Sequence, residues 1–339
     1  MLLTLVTIAI IIALLFDVMN GFHDSANSIA TVVSTRVLSP KAAVLWAAFF
    51  NLVPMFIFAP HVADTISKIV IIEAHDFTFF YVICSGLLGA TIWDLITWWW
   101  KLPTSSSHAL IGGLSGAGFA YGGPDALQWP LLFTTFKFIV LAPLIGFTLG
   151  FIFIILLYWI FQKKHPSSID KGFRKAQLFS AALYSIGHGA NDAQKTMGVI
   201  MALLIGAGMI SKEENLSLSN INTYWIVLSC HLAMSLGTAL GGWRIVQTMG
   251  MKIAKIQPIG GFCAETAGAI TLFVATHFGI PVSTTHTITG SIIGISSAIY
   301  RPSRIKWGIA TKILWAWILT IPASALISGG FFHLFSRIF

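Results

Sequence analysis

Two twelve-residue phrases repeat one another far apart in the chain: LPTSSSHALIGG (Leu102–Gly113) and IPVSTTHTITGS (Ile280–Ser291). Pro103, Ser105, Ser106, Ser107, His108 and Gly112 match Pro281, Ser283, Thr284, Thr285, His286 and Gly290 at a constant offset of 178 (281 − 103). A second pair precedes them, GFHDSANS (Gly21–Ser28) and GANDAQKT (Gly189–Thr196), offset by 168 (192 − 24). It aligns Asp24 with Asp192, His23 with Asn191 and Asn27 with Lys195. Two matched pairs in the same order mean an internal duplication, so whatever one half folds into, the other must fold into as well.

The surroundings of these phrases define the solvent. Of 339 residues 56% are hydrophobic and 9% charged, against about 25% charged in soluble domains. That balance reads as an integral membrane protein. The net charge of +8 is concentrated in Gln162–Gln177, where Lys163, Lys164, Lys171, Arg174 and Lys175 face Asp170 alone. A nucleic-acid patch would also be basic, but clusters of this kind mark cytoplasmic loops of membrane proteins, and no nucleic-acid partner is expected. Cys84, Cys230 and Cys263 have no paired spacing and give no zinc or redox motif. The N-terminal run lacks a basic n-region and a small-residue cleavage site, so it reads as a retained membrane helix.

Apolar stretches near 1–19, 42–60, 77–100, 131–161, 177–210, 223–241, 258–278 and 309–338 are about the ~20 residues a span requires. Shorter apolar stretches lie near 105–120 and 282–300. The repeats are 1–161 and 177–339, joined by the basic linker 162–176. Taking 1–38 as one broken segment, each half has the same odd number of segments, which inverts the second half relative to the first. With the linker cytoplasmic, Ser211–Asn220 and its two acids fall outside and Arg244, Lys252 and Lys255 fall inside, so both termini face outward. The expected fold is an all-α polytopic membrane protein of two inverted-topology repeats with broken or re-entrant helices and about 10–12 membrane segments, the pattern of a secondary transporter with its site at the midplane.

The motifs carry matching chemistry. Pro103 and Pro281 end a preceding helix, and the Ser/Thr residues after them supply N-cap oxygens for a new one. A helix N-terminus presents free N–H groups and attracts anions. Ser105, Ser106 and Ser107, with Ser283, Thr284 and Thr285, add hydroxyls, so two tips aimed at one spot make an oxyanion cradle. Hydroxyls at a helix bend can also bond back to their own backbone. Asp24 and Asp192 at bilayer depth are functional candidates by default, and a carboxylate beside Asn191 and Gln194 is an oxygen-rich cation site. Asp192 and Lys195, at i and i+3, also suit an internal ion pair. His108 and His286 read as packing histidines or proton relays, and Glu265 as a coupling acid or a structural hydrogen-bond acceptor. Asp94, near an aromatic, Lys-bearing end, reads as structural within an interfacial belt. Glycine pairs four apart (Gly112 and Gly116, Gly146 and Gly150, Gly237 and Gly241, Gly290 and Gly294) report close helix packing.

Together NGFHDSANSIATVVSTR, GHGANDAQKTMG, GFCAETAGA and the two Ser/Thr phrases resemble the inorganic phosphate transporter (PiT) family over nearly the whole chain. The resemblance implies cation-coupled phosphate symport through an inverted-repeat bundle. Asp24 and Asp192 are then coupling-site residues, and the two Ser/Thr triplets hold phosphate. The family's Asn is His23 in the first half, and its later Asn is Lys195 in the second. Asn51 stands where many sodium-coupled members have Glu, while Glu265 matches the family's acid. These departures resemble the bacterial branch, in the inner membrane, which uses protons and carries a metal–phosphate complex. Phosphate-binding candidates are therefore the six Ser/Thr residues with Asn27 and Lys195. Coupling candidates are Asp24, Asp192, His23, Asn191, Gln194 and Glu265. No resident cofactor is expected; the coupling ion is H+ or Na+, with a divalent metal as an optional companion of phosphate, and a homodimer in the bilayer is compatible with all of this.

Three rivals remain open from the residues. Sulfate suits the same cradle as a tetrahedral dianion. A passive oxyanion channel gains nothing from the paired acids. An intramembrane Ser–His hydrolase needs an orienting acid beside the pair, and adjacent helix residues do not face each other.

Overall fold

The computed structural model describes residues 2–71, 78–211, 213–252, 255–299 and 306–338. Among them are twelve α-helices: α1 (Leu2–Ser34), α2 (Pro40–Leu52), α3 (His61–Ser67), α4 (Thr78–Trp99), α5 (Ser106–Gly122), α6 (Trp129–Phe161), α7 (Pro166–Gly206), α8 (Tyr224–Leu240), α9 (Trp243–Gln247), α10 (Pro258–His277), α11 (Thr284–Ile299) and α12 (Trp307–Ile338). No strand forms among the described residues; Val70 and Leu127 make an isolated antiparallel bridge.

Five helices (α1, α4, α6, α10 and α12) are long and apolar enough to cross a membrane. Counting each bent pair as one span, α2 with α3 (86°) and α8 with α9 (58°), gives seven. That is fewer than the ten to twelve segments expected, for two reasons. The polar residues from His188 to Lys195 lower the apolarity of α7, and α5 and α11 have only 17 and 16 residues, roughly 25 Å at 1.5 Å per residue.

The breaks are not all where the sequence suggested. Residues 1–38 were expected to be one broken segment, yet α1 runs unbroken through Gly21–Ser28, and α7 runs unbroken through Gly189–Thr196. Helix N–H and C=O groups pair within the segment, so polar side chains alone do not interrupt it. The chain breaks instead at Ile57–Pro60, at Gly241–Gly242 and in the extended stretches before α5 and α11. Gly241, expected at a packing face, has φ +72° and ends α8 in a left-handed turn. The basic linker is likewise not a loop throughout: Pro166 starts α7, with His165 as its N-cap, so residues 166–176 are helical. There Arg174 donates to the carbonyls of Thr35 and Arg36 at the end of α1, at 3.3 and 3.0 Å, satisfying groups the helix leaves free.

The order of helices is the same in both halves, and each half gives its last helix to the other. α6 packs against α11, and α12 against α5. Glycines make both crossings close. A Cβ on Gly290 or Gly294 would lie 2.2 Å from the carbonyl oxygens of Pro143 or Phe147. One on Gly112 or Gly116 would lie 2.6 or 2.2 Å from those of Ile321 or Ala325. The long helices α1 and α7 lie inside this frame, and their polar stretches meet the tips of α5 and α11.

Candidate transport site

The two half-helices start in the same way. Ser105 and Ser283 are N-caps whose hydroxyl oxygens accept from the backbone N–H of His108 and His286, each at 3.2 Å. These two of the six candidate hydroxyls therefore serve their own helices, as N-caps do. The next residues, Ser106, Ser107, Thr284 and Thr285, stand in the first turns, where N–H groups have no intrahelical partner. All four face the polar stretches of α1 and α7.

Thr284 connects most of the site. Its Oγ1 accepts from Asn27 Nδ2 at 3.0 Å and lies 3.2 Å from Asp192 Oδ2 and 3.5 Å from Asp24 Oδ2. Asn27 Nδ2 also donates to Thr285 Oγ1 at 2.9 Å, and Tyr184 donates to the Thr284 carbonyl at 3.0 Å. His23 Nδ1 donates to Asp24 Oδ1 at 2.7 Å, and its Nε2 lies 3.2 Å from Thr97 Oγ1. Asp24, Asn27, Asp192, Lys195 and the four hydroxyl residues are each at most 2% exposed, so the site is closed to both sides.

Lys195 breaks the symmetry, and its ammonium is fully engaged. Nζ donates to Asp192 Oδ1 and Ser107 Oγ, each at 2.5 Å, and to the Val282 carbonyl at 2.9 Å. A carboxylate, a hydroxyl and a carbonyl freed by the extended stretch before α11 are the donors a bound alkali cation would take. The equivalent position in the first half, Asn27, is neutral and makes the matching contact, to Thr285 instead of Ser107.

Other predicted coupling residues lie elsewhere. Asn191 donates to Thr276 Oγ1 and the Ile280 carbonyl, at 3.1 and 3.3 Å. Gln194 accepts from Val62 N–H and donates to the Ala59 carbonyl, at 3.0 and 3.1 Å, stitching the α2–α3 bend. Glu265 is enclosed by Gln177 and Ser180 on α7, at 2.9 and 2.5 Å. Asn51 donates to Thr238 Oγ1 at 2.9 Å. His108 and His286 form an edge-to-face ring pair at 4.7 Å, and His286 also stacks on Trp317 at 3.8 Å. Pro143 has no N–H for the Ile139 carbonyl, four residues back, and His286 Nδ1 lies 3.4 Å from that oxygen. Asp94 is not in an interfacial belt: it is fully buried, beside His23, Asp24 and Ser106. Asp94 points into the bundle from α4, whereas Trp99 at the end of the same helix is exposed.

Three buried groups had no role in the sequence reading. Asp17, on α1, sits near Thr196 and Asn20. Ser28 lies 3.1 Å from His188 Nδ1. His188 is one turn before Asp192, and that i, i+4 spacing was the available signal.

Matched half-helix tips meeting paired acids on two long helices have the architecture expected of a membrane transporter. A family model described as the phosphate transporter family matches residues 20–328. The chain is 52% identical over 320 residues to the probable low-affinity inorganic phosphate transporter of Rhizobium meliloti (strain 1021), covering 94% of this chain and 93% of that one. It is 41% identical over 338 residues to the protein so described in Bacillus subtilis (strain 168), covering 100% and 99%. A solved structure, the sodium-dependent phosphate transporter, matches with a TM-score of 0.87 at 24% identity over 99% of this chain and 100% of that one. At that identity the likeness concerns the fold. The chain belongs to the phosphate transporter family, and it is a transporter rather than an enzyme.

One substitution tests the hub. Thr284→Val keeps the shape and removes a hydroxyl shared by Asn27, Asp24 and Asp192. A buried polar group left unpaired costs ~1–3 kcal/mol, so the KM for phosphate uptake into proteoliposomes is expected to rise on the order of ten- to a hundredfold. Thr285→Val, whose hydroxyl serves Asn27 alone among these groups, is expected to have the smaller effect.

Proposed function

We propose that the protein imports inorganic phosphate by proton-coupled symport, with alternating access around the site between α1, α5, α7 and α11. Phosphate is held by the hydroxyls and first-turn N–H groups of Ser106, Ser107, Thr284 and Thr285, with Asn27 as a further donor. Ser105 and Ser283 shape the tips. In this reading 1–161 and 177–339 are inverted repeats in a bacterial inner membrane, the linker is cytoplasmic and the termini face outward.

The observation that carries the proton reading is the position of Lys195. A tethered ammonium bound by Asp192, Ser107 and the Val282 carbonyl occupies the kind of oxygen cage a second sodium ion would need. With that charge built in, coupling falls to groups that bind protons, and His23 against Asp24 is the candidate nearest the cradle. Glu265, on α10 and separate from the cradle, is the second; Gln177 and Ser180 of α7 donate to it. Sodium coupling stays the rival because the first half carries a neutral Asn27 where the second carries the ammonium.

Labelled phosphate uptake into proteoliposomes, with sodium, proton and magnesium gradients varied singly and sulfate as competitor, tests the proposal. Uptake is expected to follow an inward proton gradient without sodium and to resist excess sulfate. Sodium-driven uptake without a pH gradient, at a stoichiometry above one, would sink it.

A further inference from the structure

Asp94 takes no part in the cradle. It lies just over one turn before the end of α4 at Trp99 and is fully buried. Neither of its carboxylate oxygens has a hydrogen-bond partner among the described residues. An unpaired carboxylate inside a membrane bundle is costly, and binding a proton removes that cost. Asp17 is also without a partner, but it lies about two turns before Asp24 on α1, beside Thr196 and Asn20.

What sets Asp94 apart is the imidazole beside it. His23 Nδ1 is committed to Asp24. Its Nε2 lies 3.2 Å from Thr97 Oγ1 and 3.4 Å from Thr104 Oγ1. The Thr97 hydroxyl donates to the backbone carbonyls of Trp93 and Asp94, each at 3.1 Å, and Thr104 donates to Thr97 at 2.9 Å. With their protons so placed, both hydroxyl oxygens can accept from an Nε2–H. Both ring nitrogens then have acceptors, as an imidazolium requires. A proton therefore has two neighbouring places to sit, the His23 ring and the Asp94 carboxyl.

The other elements packed against α4 leave that exchange undisturbed. α5 brings the Ser106 hydroxyl to Asp94. α12 brings Thr320, which accepts from Trp93 Nε1. α7 approaches at Phe79, near the opposite end of α4, and its Lys195 is held by Asp192, Ser107 and Val282. α9 brings Arg244, whose guanidinium lies on the Trp98 and Trp99 rings at 4.5 and 4.6 Å. That cation marks the end of α4 that faces the cytoplasm in the orientation proposed above.

We propose that Asp94 is a proton-coupling residue, which passes the co-transported proton from the His23–Asp24 pair toward the cytoplasmic end of the bundle without touching phosphate. The role rests on the proton-symport reading. In the inward direction the N–H bond at His23 Nε2 breaks and an O–H bond forms at Asp94. Imidazolium and carboxylate become a neutral imidazole and a neutral acid. The proton leaves Asp94 for water when the cytoplasmic side opens, and the carboxylate is ready to be loaded again.

The test uses full-length protein in proteoliposomes and two assays. Exchange of labelled for unlabelled phosphate at equal pH needs no net proton release. Accumulation under an inward proton gradient does, and a pH step of about one unit sustains about tenfold accumulation per coupled proton. Asp94→Asn cannot release a proton, so it is expected to keep exchange within about twofold of wild type and to lose that roughly tenfold accumulation. Asp94→Glu is expected to restore it. Thr97→Val, which removes the hydroxyl between Nε2 and the Asp94 backbone, is expected to lose most of the accumulation and spare exchange, and it decides the matter if Asp94→Asn does not fold. Equal loss of exchange and accumulation in a folded variant is the mark of a structural role and would overturn the assignment, as would undiminished accumulation. Wild-type uptake that follows sodium and ignores the pH gradient overturns proton symport, and the role of Asp94 with it. Accumulation driven by pH in wild type and in Asp94→Asn alike overturns the role of Asp94 alone.

Discussion

Asp192→Asn is expected to abolish gradient-driven phosphate uptake and to destabilise the protein strongly. Among the described residues the carboxylate is the only acidic group hydrogen-bonded to Lys195 Nζ, and the pair is at most 1% exposed. Removing one partner of a buried pair leaves an uncompensated charge, at a cost of about 3–5 kcal/mol. The same change removes an acceptor facing Thr284 and a neighbour of His188, so surviving protein should transport at less than roughly a hundredth of the wild-type rate by the same free-energy scale. Replacing both partners, Asp192→Asn with Lys195→Met, removes the stray charge and should recover most of the stability, as apolar replacements of buried pairs often do. Melting temperature and uptake must then separate: the double variant folds but does not transport. Loss of stability in the double variant equal to that in the single one would show that the ion pair is not what holds this region together.

The second large effect lies away from the polar site. Gly294→Leu should prevent accumulation of folded protein. The neighbour of a Cβ at position 294 is the Phe147 carbonyl, and Gly290 faces the Pro143 carbonyl in the same way. Backbone atoms on a continuous helix cannot move aside as a flexible side chain can, so α6 and α11 would have to part. Overpacking costs typically ~1–3 kcal/mol and more where backbone must shift, and the contact being lost joins the two halves. Gly172→Leu, on the exposed start of α7 with nothing within 4 Å, is the control and should express normally. Yield of monodisperse protein in detergent, read by size-exclusion chromatography, checks both.

Much of the architecture was legible because it depends on local rules. Low charge and long apolar runs require a membrane helix bundle. A Pro followed by Ser/Thr residues starts a helix, and two copies at a constant offset make two such starts. The packing value of Gly290 and Gly294 followed from their spacing alone. Other features were not legible because helix hydrogen bonding is indifferent to side-chain polarity. For that reason Gly21–Ser28 and Gly189–Thr196 lie within unbroken helices, although they interrupt the apolar pattern as a break would.

By itself the sequence determined the solvent, the duplication, and which residue types had to be present: paired acids, hydroxyl-bearing helix tips and one unmatched lysine. Only the tertiary structure decided which of them meet. Ser105 and Ser283 are spent on their own caps, and Asn191 Nδ2, Gln194 and Glu265 bond to neighbours outside the cradle. Lys195 turns onto Asp192, Ser107 and the Val282 carbonyl, and His188 is left facing two carboxylates. The physical reason is that a buried polar group takes whichever partner the packing of distant helices brings within about 3 Å, and that partner is not encoded by spacing along the chain.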